Sequence, residues 1–271
     1  MKTPSNKIFK ARVNTFASVE RRIGQRITGR VLDIGCGNGY AAIWLALNRD
    51  GVQVDAMEAS TPAVSELIPK HVAHHGVGDR VRPVLGSFED IGAQDAYDFV
   101  VSFGAIHHAS CLLTAMRSVA GALREGGWAI MNEPVMPNTT RNADYVRKYD
   151  IVQDMLGLQI RNGDRDDHFF REAEYVVAAA FAGLDLEHWY VPDFDQSTGR
   201  SPLRRLLSRV RAMVRPRPAP RLSASEQAYR DATAAVSTRI MVFRKTSVPR
   251  VPHLWRALAP DAKASDARAG H

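Results

Sequence analysis

A glycine-rich turn that joins a short apolar strand to an alanine-rich helix is the feature that most constrains the fold of this chain. The segment Val31–Tyr40 reads VLDIGCGNGY, so an apolar run leads directly into three closely spaced glycines. Glycine adopts backbone conformations closed to other residues and lets the backbone approach a ligand closely. In an open α/β sheet, ligands bind at the carboxyl ends of the strands. The turn therefore predicts an α/β fold with a ligand site at this edge.

Strand-like and helix-like segments alternate along the chain up to about residue 133. Short apolar runs predict strands at 30–34, 52–57, 80–85, 97–103 and 128–132, with a turn at 124–127. Apolar positions spaced three and four apart predict helices at 5–28, 40–48 and 111–123, and Thr61-Pro62 is a further helix start. Gly29 is expected to end the first helix, and Pro83 places the third strand at a sheet edge. The alternation predicts a parallel sheet with helices on both faces.

This alternation is interrupted after Pro134. A helix is predicted again at 172–181, followed by strands at 184–191 and 238–245. The residues between these elements form two insertions, at about 134–170 and 193–236. We therefore divide the chain into an N-terminal helical cap at 1–29, one α/β domain with both insertions at 30–245, and a loose C-terminal tail at 246–271.

Composition narrows the class of protein further. With 271 residues, 45% of them hydrophobic, the chain is long enough for one domain with a sizeable core. Its two cysteines, Cys36 and Cys111, argue against a disulfide framework and favour a reducing cytoplasm. No apolar run predicts a signal peptide or a membrane span. The net charge of +7 favours an acidic partner, which an anionic substrate, a phospholipid surface or a nucleic acid would each provide.

An acid at the end of the next strand makes the glycine turn more specific. Glu58 closes the second predicted strand, at the depth where a carboxylate can accept hydrogen bonds from both hydroxyls of a ribose. Together with VLDIGCGNG at 31–39 and LREGGWAIMNE at 123–133, it resembles the class I S-adenosylmethionine-dependent methyltransferases. The resemblance covers about residues 30–133 and continues more weakly to 245. It implies a Rossmann-like, doubly wound sheet, mostly parallel with an antiparallel last strand, and S-adenosylmethionine as the cofactor.

The resemblance also implies which residues surround the cofactor. The three glycines would shape the turn against its methionine part, Asp33 would orient that loop or hold the amine through water, and Glu58 would bind the ribose. The two residues after the third strand would flank the adenine, with Glu89 as a substitute for the acid that many members place there. Phe103 and Gly104 would line the floor beneath the sulfonium. The complete expected set is Asp33, Gly35, Cys36, Gly37, Gly39, Glu58, Ala59, Ser87, Phe88, Phe103 and Gly104.

Two other interpretations of the glycine turn stay open. It can serve packing alone, or it can bind a nicotinamide or flavin dinucleotide. The dinucleotide fingerprint needs its third glycine where Tyr40 stands, and no separate glycine-rich turn for a pyrophosphate follows. Glu58 and the order of the strands favour S-adenosylmethionine over both.

Three residues near the expected methyl group are candidates for catalysis. His107 and His108 follow the fourth strand, and the unperturbed pKa of histidine, near ~6.5, suits a general base at neutral pH. The alternative is that one of them packs against or caps the next helix. Glu133 ends the fifth strand, where it either binds substrate or satisfies backbone donors. Residues 166–168, DDH, carry metal-capable side chains, but adjacent residues seldom converge on one ion, so we expect no metal.

Missing motifs narrow the class of methyl acceptor. Where nucleic-acid amino methyltransferases carry (D/N/S)PP(Y/F), this chain reads SFGA at 102–105. Cytosine C5 enzymes use a Pro-Cys nucleophile in that loop, whereas Cys111 follows Ser110, and the double-glutamate loop of protein-arginine enzymes is missing. These differences argue against a nucleic-acid acceptor. We expect a small-molecule or lipid-like acceptor, methylated on oxygen.

A basic amphipathic segment lies inside the second insertion. Within 201–221, leucines and valines at helical spacing are interleaved with arginines. Such a helix suits peripheral contact with an anionic membrane or an acidic partner, although we favour a lid packed on its own domain. The alternative function is a catalytically silent S-adenosylmethionine-binding protein that acts through this insertion. The intact glycine turn, Glu58 and the histidines favour the enzyme.

Overall fold

The computed structural model describes residues 6–141, 169–192 and 236–246, and their side chains from residue 14 onward. The strands are β1 Gly29–Ile34, β2 Val52–Glu58, β3 Val81–Leu85, β4 Tyr97–Phe103, β5 Leu123–Val135, β6 Leu184–Tyr190 and β7 Ser237–Lys245. The helices are α1 Asn6–Ile23, α2 Tyr40–Asn48, α3 Ile68–His75, α4 Leu112–Ala122 and α5 Glu172–Phe181. A π-helical turn, Ala63–Leu67, precedes α3, and a 3₁₀ turn, Ile106–His108, precedes α4.

These strands form one sheet in the order β3-β2-β1-β4-β5-β7-β6. The first five strands pair in parallel, and β7 is antiparallel to both β5 and β6. The predicted Rossmann-like sheet and its antiparallel last strand are therefore confirmed. Pro83 lies in β3, which is at the sheet edge as predicted. The strand order reverses between β1 and β4, and open sheets bind ligands at this switch point.

Each face of the sheet carries its own helices, because alternate residues of a strand point to opposite sides. On the first face, α1, α2 and α3 cover a core that includes Phe16, Val31 and Phe99. On the second face, α4 and α5 cover a core that includes Leu32 and Tyr175. The two layers hold the carboxyl edge of the sheet from both sides, and the glycine turn lies at that edge.

Helix α1 is part of the first layer. Phe16 is fully buried and stacks on Trp44 of α2, with ring centroids 5.4 Å apart. Glu20 pairs with Arg49 at 2.6 Å, after the last turn of α2. This end of α1 therefore contributes to the core.

Two boundaries differ from those that the sequence predicted. The first helix ends at Ile23 and is followed by Gly24 with a φ of 72°, whereas Gly29 begins β1. Both glycines have positive φ, and periodicity cannot choose between two such stops. Strand β5 also spans the predicted turn at 124–127, which forms an irregularity between Leu123, paired with Tyr97, and Trp128, paired with Phe99.

Several sequence predictions lie outside the described residues. They include most of the first insertion with residues 166–168, the second insertion with its basic segment at 201–221, and the tail beyond residue 246. Among the helices that are described, none is long and apolar enough to cross a membrane.

Candidate active site

The glycine turn joins β1 to α2, and its three glycines all adopt left-handed backbone conformations. Their φ angles are 59° at Gly35, 59° at Gly37 and 77° at Gly39, a region that L side chains rarely adopt. A Cβ atom at Gly35 would overlap the Cβ of Ala105, and one at Gly39 would lie 3.1 Å from Cγ2 of Ile68. At Gly37, which is exposed, a Cβ would meet no atom within 4 Å. Gly35 and Gly39 therefore permit close packing, whereas Gly37 borders open space.

The carboxylate of Glu58 lies beside this open space. Its Oε2 accepts a hydrogen bond from the Gly37 amide at 2.8 Å, and its Oε1 accepts from the amides of Ala59 and Ser60 at 3.0 and 3.3 Å. The side chain is half-buried at the end of β2. Three backbone amides thus fix a partly exposed carboxylate next to the glycine turn.

Two buried residues hold the turn from below. Asp33 accepts through Oδ2 a hydrogen bond from the Ala42 amide at 3.2 Å, in the first turn of α2. The Cys36 amide donates to the carbonyl of Met57 in β2 at 3.0 Å. Burial, with the nearby charges of Asp33 and Glu58, raises the pKa of the Cys36 thiol, so the thiol stays protonated. Of the two roles expected for Asp33, these contacts favour orientation of the loop.

The residues expected at the adenine follow β3, at the same edge of the sheet. Ser87 is exposed, and its hydroxyl accepts a hydrogen bond from the Glu89 amide at 3.2 Å. Phe88 is half-buried against the core of the second face. Glu89 accepts a hydrogen bond from the Cys111 amide at 2.7 Å, at the start of α4. Glu89 therefore joins the loop after β3 to α4, and Ser87 is left at the surface.

The two residues expected beneath the sulfonium differ in exposure. The Phe103 ring is buried in the first layer, edge-to-face with Phe16, with centroids 5.1 Å apart. Gly104 is exposed, has a φ of 65°, and donates its amide hydrogen to the carbonyl of Asn132 at 2.9 Å. Of these two residues only Gly104 is therefore exposed at this edge of the sheet.

A buried histidine–carboxylate pair lies where β4 and β5 end. His107, in the 3₁₀ turn, places Nδ1 2.8 Å from Oε2 of Glu133, which is 0% exposed. The other oxygen, Oε1, accepts from the Ser102 hydroxyl at 2.5 Å and from the amides of Ala105 and Ile106 at 3.1 and 3.4 Å. Burial alone would raise the pKa of Glu133, but the hydrogen bonds from His107, Ser102 and Ala105 hold it below its ordinary value. A buried, ionised carboxylate therefore faces the imidazole.

Two further rings surround His107. The Phe169 ring is buried and stacks on it with centroids 5.6 Å apart and planes 5° from parallel. Phe169 has a φ of 30°, a strained conformation for a residue with a side chain, and such strain clusters at functional sites. The half-buried His108 ring has its centroid 4.0 Å from that of His107. The first insertion thus returns to the sheet directly over the histidine pair.

Sequence reasoning missed the contacts that Phe169 and Thr15 make. Asn132, at the end of β5, donates through Nδ2 to the hydroxyl of Thr15 on α1 at 3.0 Å. No local pattern points to either contact, because Phe169 lies 62 residues from His107 and the Thr15–Asn132 bond spans 117 residues. Within the described residues, no group of three or more His, Cys, Asp or Glu side chains is arranged to hold a metal ion.

Comparison with known proteins assigns most of this chain to a protein family. Residues 10–189 match the protein family described as a methyltransferase domain. A tRNA U34 carboxymethyltransferase from Methylococcus capsulatus is 32% identical over 109 residues, which are 40% of this chain and 32% of that protein. The chain therefore spans about a third of the length of the curated relatives it matches.

Solved structures share the fold at low sequence identity. A protein described as a sarcosine dimethylglycine methyltransferase from Galdieria sulphuraria has a TM-score of 0.64 at 18% identity, over 88% of this chain and 86% of that one. The geranyl diphosphate C-methyltransferase of Streptomyces coelicolor, solved with S-adenosylhomocysteine, has a TM-score of 0.57 at 13% identity, over 85% and 77%. At these identities the likeness shows the fold alone.

Proposed function

This chain belongs to the methyltransferase-domain family as a class I S-adenosylmethionine-dependent methyltransferase, and on that premise we propose that it methylates a hydroxyl oxygen of a small-molecule or lipid-like acceptor. The cofactor supplies an electrophilic methyl group carried on a sulfonium. The residues of the chain must bind that cofactor, hold the acceptor oxygen in line with the methyl carbon, and remove the hydroxyl proton. The buried His107–Glu133 pair is the observation that carries the proposal.

The residues at the glycine turn fit the cofactor. Gly37 borders a space that a Cβ would enter without contact, so a ligand can approach the backbone there. The Glu58 carboxylate beside it is an acceptor for hydroxyl donors such as those of a ribose. We assign cofactor binding to the turn and Glu58, with Asp33 and Cys36 shaping the turn and with Ala59, Ser87, Phe88, Phe103 and Gly104 around it.

We assign the general base to His107. A neutral imidazole that donates from Nδ1 to Glu133 carries its basic lone pair on Nε2. That nitrogen would take the proton of the acceptor hydroxyl as its oxygen receives the methyl group, which the cofactor would supply and then leave as a thioether. Only the neutral imidazole can accept this proton, so the rate rises with pH as His107 deprotonates.

Glu133 is a positioning residue in this mechanism. It is 0% exposed, so its carboxylate contacts His107 and not solvent. Its charge favours the imidazolium that forms when the proton is taken, and its hydrogen bond fixes which imidazole nitrogen is basic. The sequence left two roles open for Glu133, binding substrate or satisfying backbone donors. Its carboxylate does accept hydrogen bonds from the amides of Ala105 and Ile106, and we add the role of orienting the histidine.

RNA is the second acceptor class to test, because the curated relatives are named tRNA U34 carboxymethyltransferases. Their similarity covers about 40% of this chain and leaves two thirds of those proteins unmatched. We favour a small acceptor because the proposed base, His107, is buried against the ring of Phe169 and not displayed on an open surface.

The acceptor is identified by incubating the protein with labelled S-adenosylmethionine and, separately, a metabolite extract, a lipid extract and bulk tRNA. Mass spectrometry then reports where the label appears. We expect a labelled small molecule or lipid that carries the new methyl group as a methyl ether. Label found only in tRNA contradicts the proposed acceptor class.

With that acceptor, His107→Ala should lower kcat by ~10²–10⁴-fold, the usual contribution of a general base. Cofactor affinity should barely change, because the contacts of His107 with Glu133 and Phe169 involve neither Glu58 nor the glycine turn. His108→Ala is the matched comparison, since His108 is the neighbouring ring, and we expect a smaller loss. If both variants keep the parental kcat at neutral pH, the acceptor needs no base from this pair.

A further inference from the structure

Helix α3 contacts three consecutive residues of the glycine turn. The Nδ1 atom of His71 lies 3.0 Å from the carbonyl oxygen of Asn38, and since a carbonyl only accepts, the histidine donates. Ile68 packs where a side chain at Gly39 would stand, with its Cγ2 3.1 Å from that position. The rings of Tyr40 and His71 stack with centroids 5.1 Å apart. Helix α3 therefore packs against the glycine turn and hydrogen-bonds to it.

A widened helical turn directly precedes α3. Residues Ala63–Leu67 form a π-helix in which the Ile68 amide bonds to the carbonyl of Ala63, five residues earlier. Pro69 follows, and proline has no amide hydrogen and crowds the carbonyl four residues before it. The wider turn removes that conflict. π-Helical turns of this kind are frequent at functional sites.

A single stretch of chain thus holds the turn from two directions. Strand β2 binds it from below through Met57 and Glu58, which accept hydrogen bonds from the amides of Cys36 and Gly37. Helix α3, which begins ten residues later, holds the peptide group between Asn38 and Gly39 through His71. The carbonyl of Asn38 has its donor in α3 and not in its own loop.

We propose that His71 is a positioning residue for cofactor binding, acting through its hydrogen bond to the Asn38 carbonyl. The turn must keep three left-handed glycines in register for its backbone to accept the cofactor, and this bond fixes the peptide between two of them. The imidazole is half-buried and contacts Asn38 and Tyr40, so we assign it an effect on the turn and not on the transferred methyl. Because this proposal rests on the cofactor site and not on the general base, it is tested without an acceptor.

The test separates the hydrogen bond from the ring stacking with two substitutions at one position. His71→Phe keeps a ring against Tyr40 and loses the donor, whereas His71→Asn places an amide nitrogen where Nδ1 stood and loses the ring. We expect His71→Phe to weaken binding of S-adenosylhomocysteine by about twofold to tenfold, the usual worth of one hydrogen bond. His71→Asn should stay close to the parent. Isothermal titration calorimetry measures both.

His74→Phe is the matched control, since His74 lies on the same helix, is exposed, and contacts His75 instead of the turn. It should bind as the parent does. Once an acceptor is known, His71→Phe should raise KM for S-adenosylmethionine and leave kcat at saturation unchanged. If His71→Phe does not fold, His71→Leu takes its place as the variant without a donor. Parental affinity without the donor, or equal weakening by His71→Asn, overturns the proposal.

Discussion

At the scale of single residues, two buried carboxylates, Glu133 and Asp55, differ in the partners that compensate their charge. Glu133 is compensated by a histidine, a hydroxyl and backbone amides at the carboxyl edge of the sheet. Asp55, in β2, is compensated by Arg82 at 2.8 Å and by the Tyr97 hydroxyl at 2.7 Å. Burial would raise the pKa of Asp55, but these hydrogen bonds hold it below its ordinary value. Of these two carboxylates only Glu133 has a histidine partner, so only Glu133 enters the proposed mechanism.

The Asp55 cluster makes a prediction for alkaline pH. Burial and the hydrogen bond to Asp55 raise the pKa of Tyr97 to about 12. An unfolded tyrosine has a pKa near ~10, so its stabilising contribution is complete below that pH and is lost as the pH rises from ~10 towards 12. The free energy of unfolding in urea should therefore fall over this window. Tyr97→Phe should show a flatter profile.

Absorbance at 295 nm checks the same prediction directly. The parent has seven tyrosines, so the difference between the titration curves of the parent and Tyr97→Phe isolates one phenol. That phenol should titrate near 12. A midpoint near ~10 would show that Tyr97 is not held as described.

At the scale of elements, the glycine turn divides its tasks among glycines that look equivalent in the sequence. Gly35 lies against Ala105, so β1 and the loop after β4 come into contact there. Gly37 faces open space with the same φ of 59°. Alanine at either position meets the same backbone penalty, about 1–2 kcal/mol, and only at Gly35 does it also meet an atom.

Gly35→Ala should therefore mainly lower stability, whereas Gly37→Ala should mainly weaken ligand binding. We expect Gly35→Ala to lower the free energy of unfolding by clearly more than the ~1–2 kcal/mol of the backbone penalty, because its Cβ overlaps Ala105. Gly37→Ala should lose about that penalty alone, yet bind S-adenosylhomocysteine more weakly, because its Cβ enters the crevice. Urea unfolding and calorimetry measure the two effects. Equal losses in both assays would contradict this division.

Helix α1 joins the crevice to the core, which limits how it can be tested. The Asn132–Thr15 hydrogen bond links the end of β5 to α1, and Phe16 and Val19 are fully buried. Truncation of the first 20 residues would remove both apolar side chains and so would report on folding. Substitution of Thr15 alone tests the contact of α1 with the site.

At the scale of the whole molecule, the sequence predicted the repeating strands and helices and missed the contacts between residues that are distant in the chain. Alternating strands and helices, the glycine turn and the edge position of Pro83 follow from local pattern and were confirmed. Two contacts were missed: the hydrogen bond of His71 to Asn38 and the stacking of Phe169 on His107. Both depend on how α3 and the end of the first insertion pack at one edge of the sheet. Local periodicity carries no information on such contacts between distant residues.

The same limit explains the two misplaced boundaries. Gly24 and Gly29 both permit positive φ, and only the packing of α1 on Trp44 and Arg49 decides where the helix ends. Residues 124–127 look like a turn because of their glycines, and they lie between Leu123 and Trp128, which both pair with β4. The pairing on either side of them makes this segment an irregularity within β5, which local pattern does not show.

Calorimetric titration with S-adenosylhomocysteine tests most directly whether the cofactor binds against the glycine turn and Glu58, as we propose. We expect a dissociation constant in the micromolar range for the parent. Glu58→Ala should weaken binding tenfold or more, because charge-assisted hydrogen bonds contribute about 1.5–3 kcal/mol each. Asp50→Ala, which removes an exposed carboxylate from the loop before β2, should bind as the parent does. Absence of binding by the parent, or equal affinity in Glu58→Ala, would contradict the account.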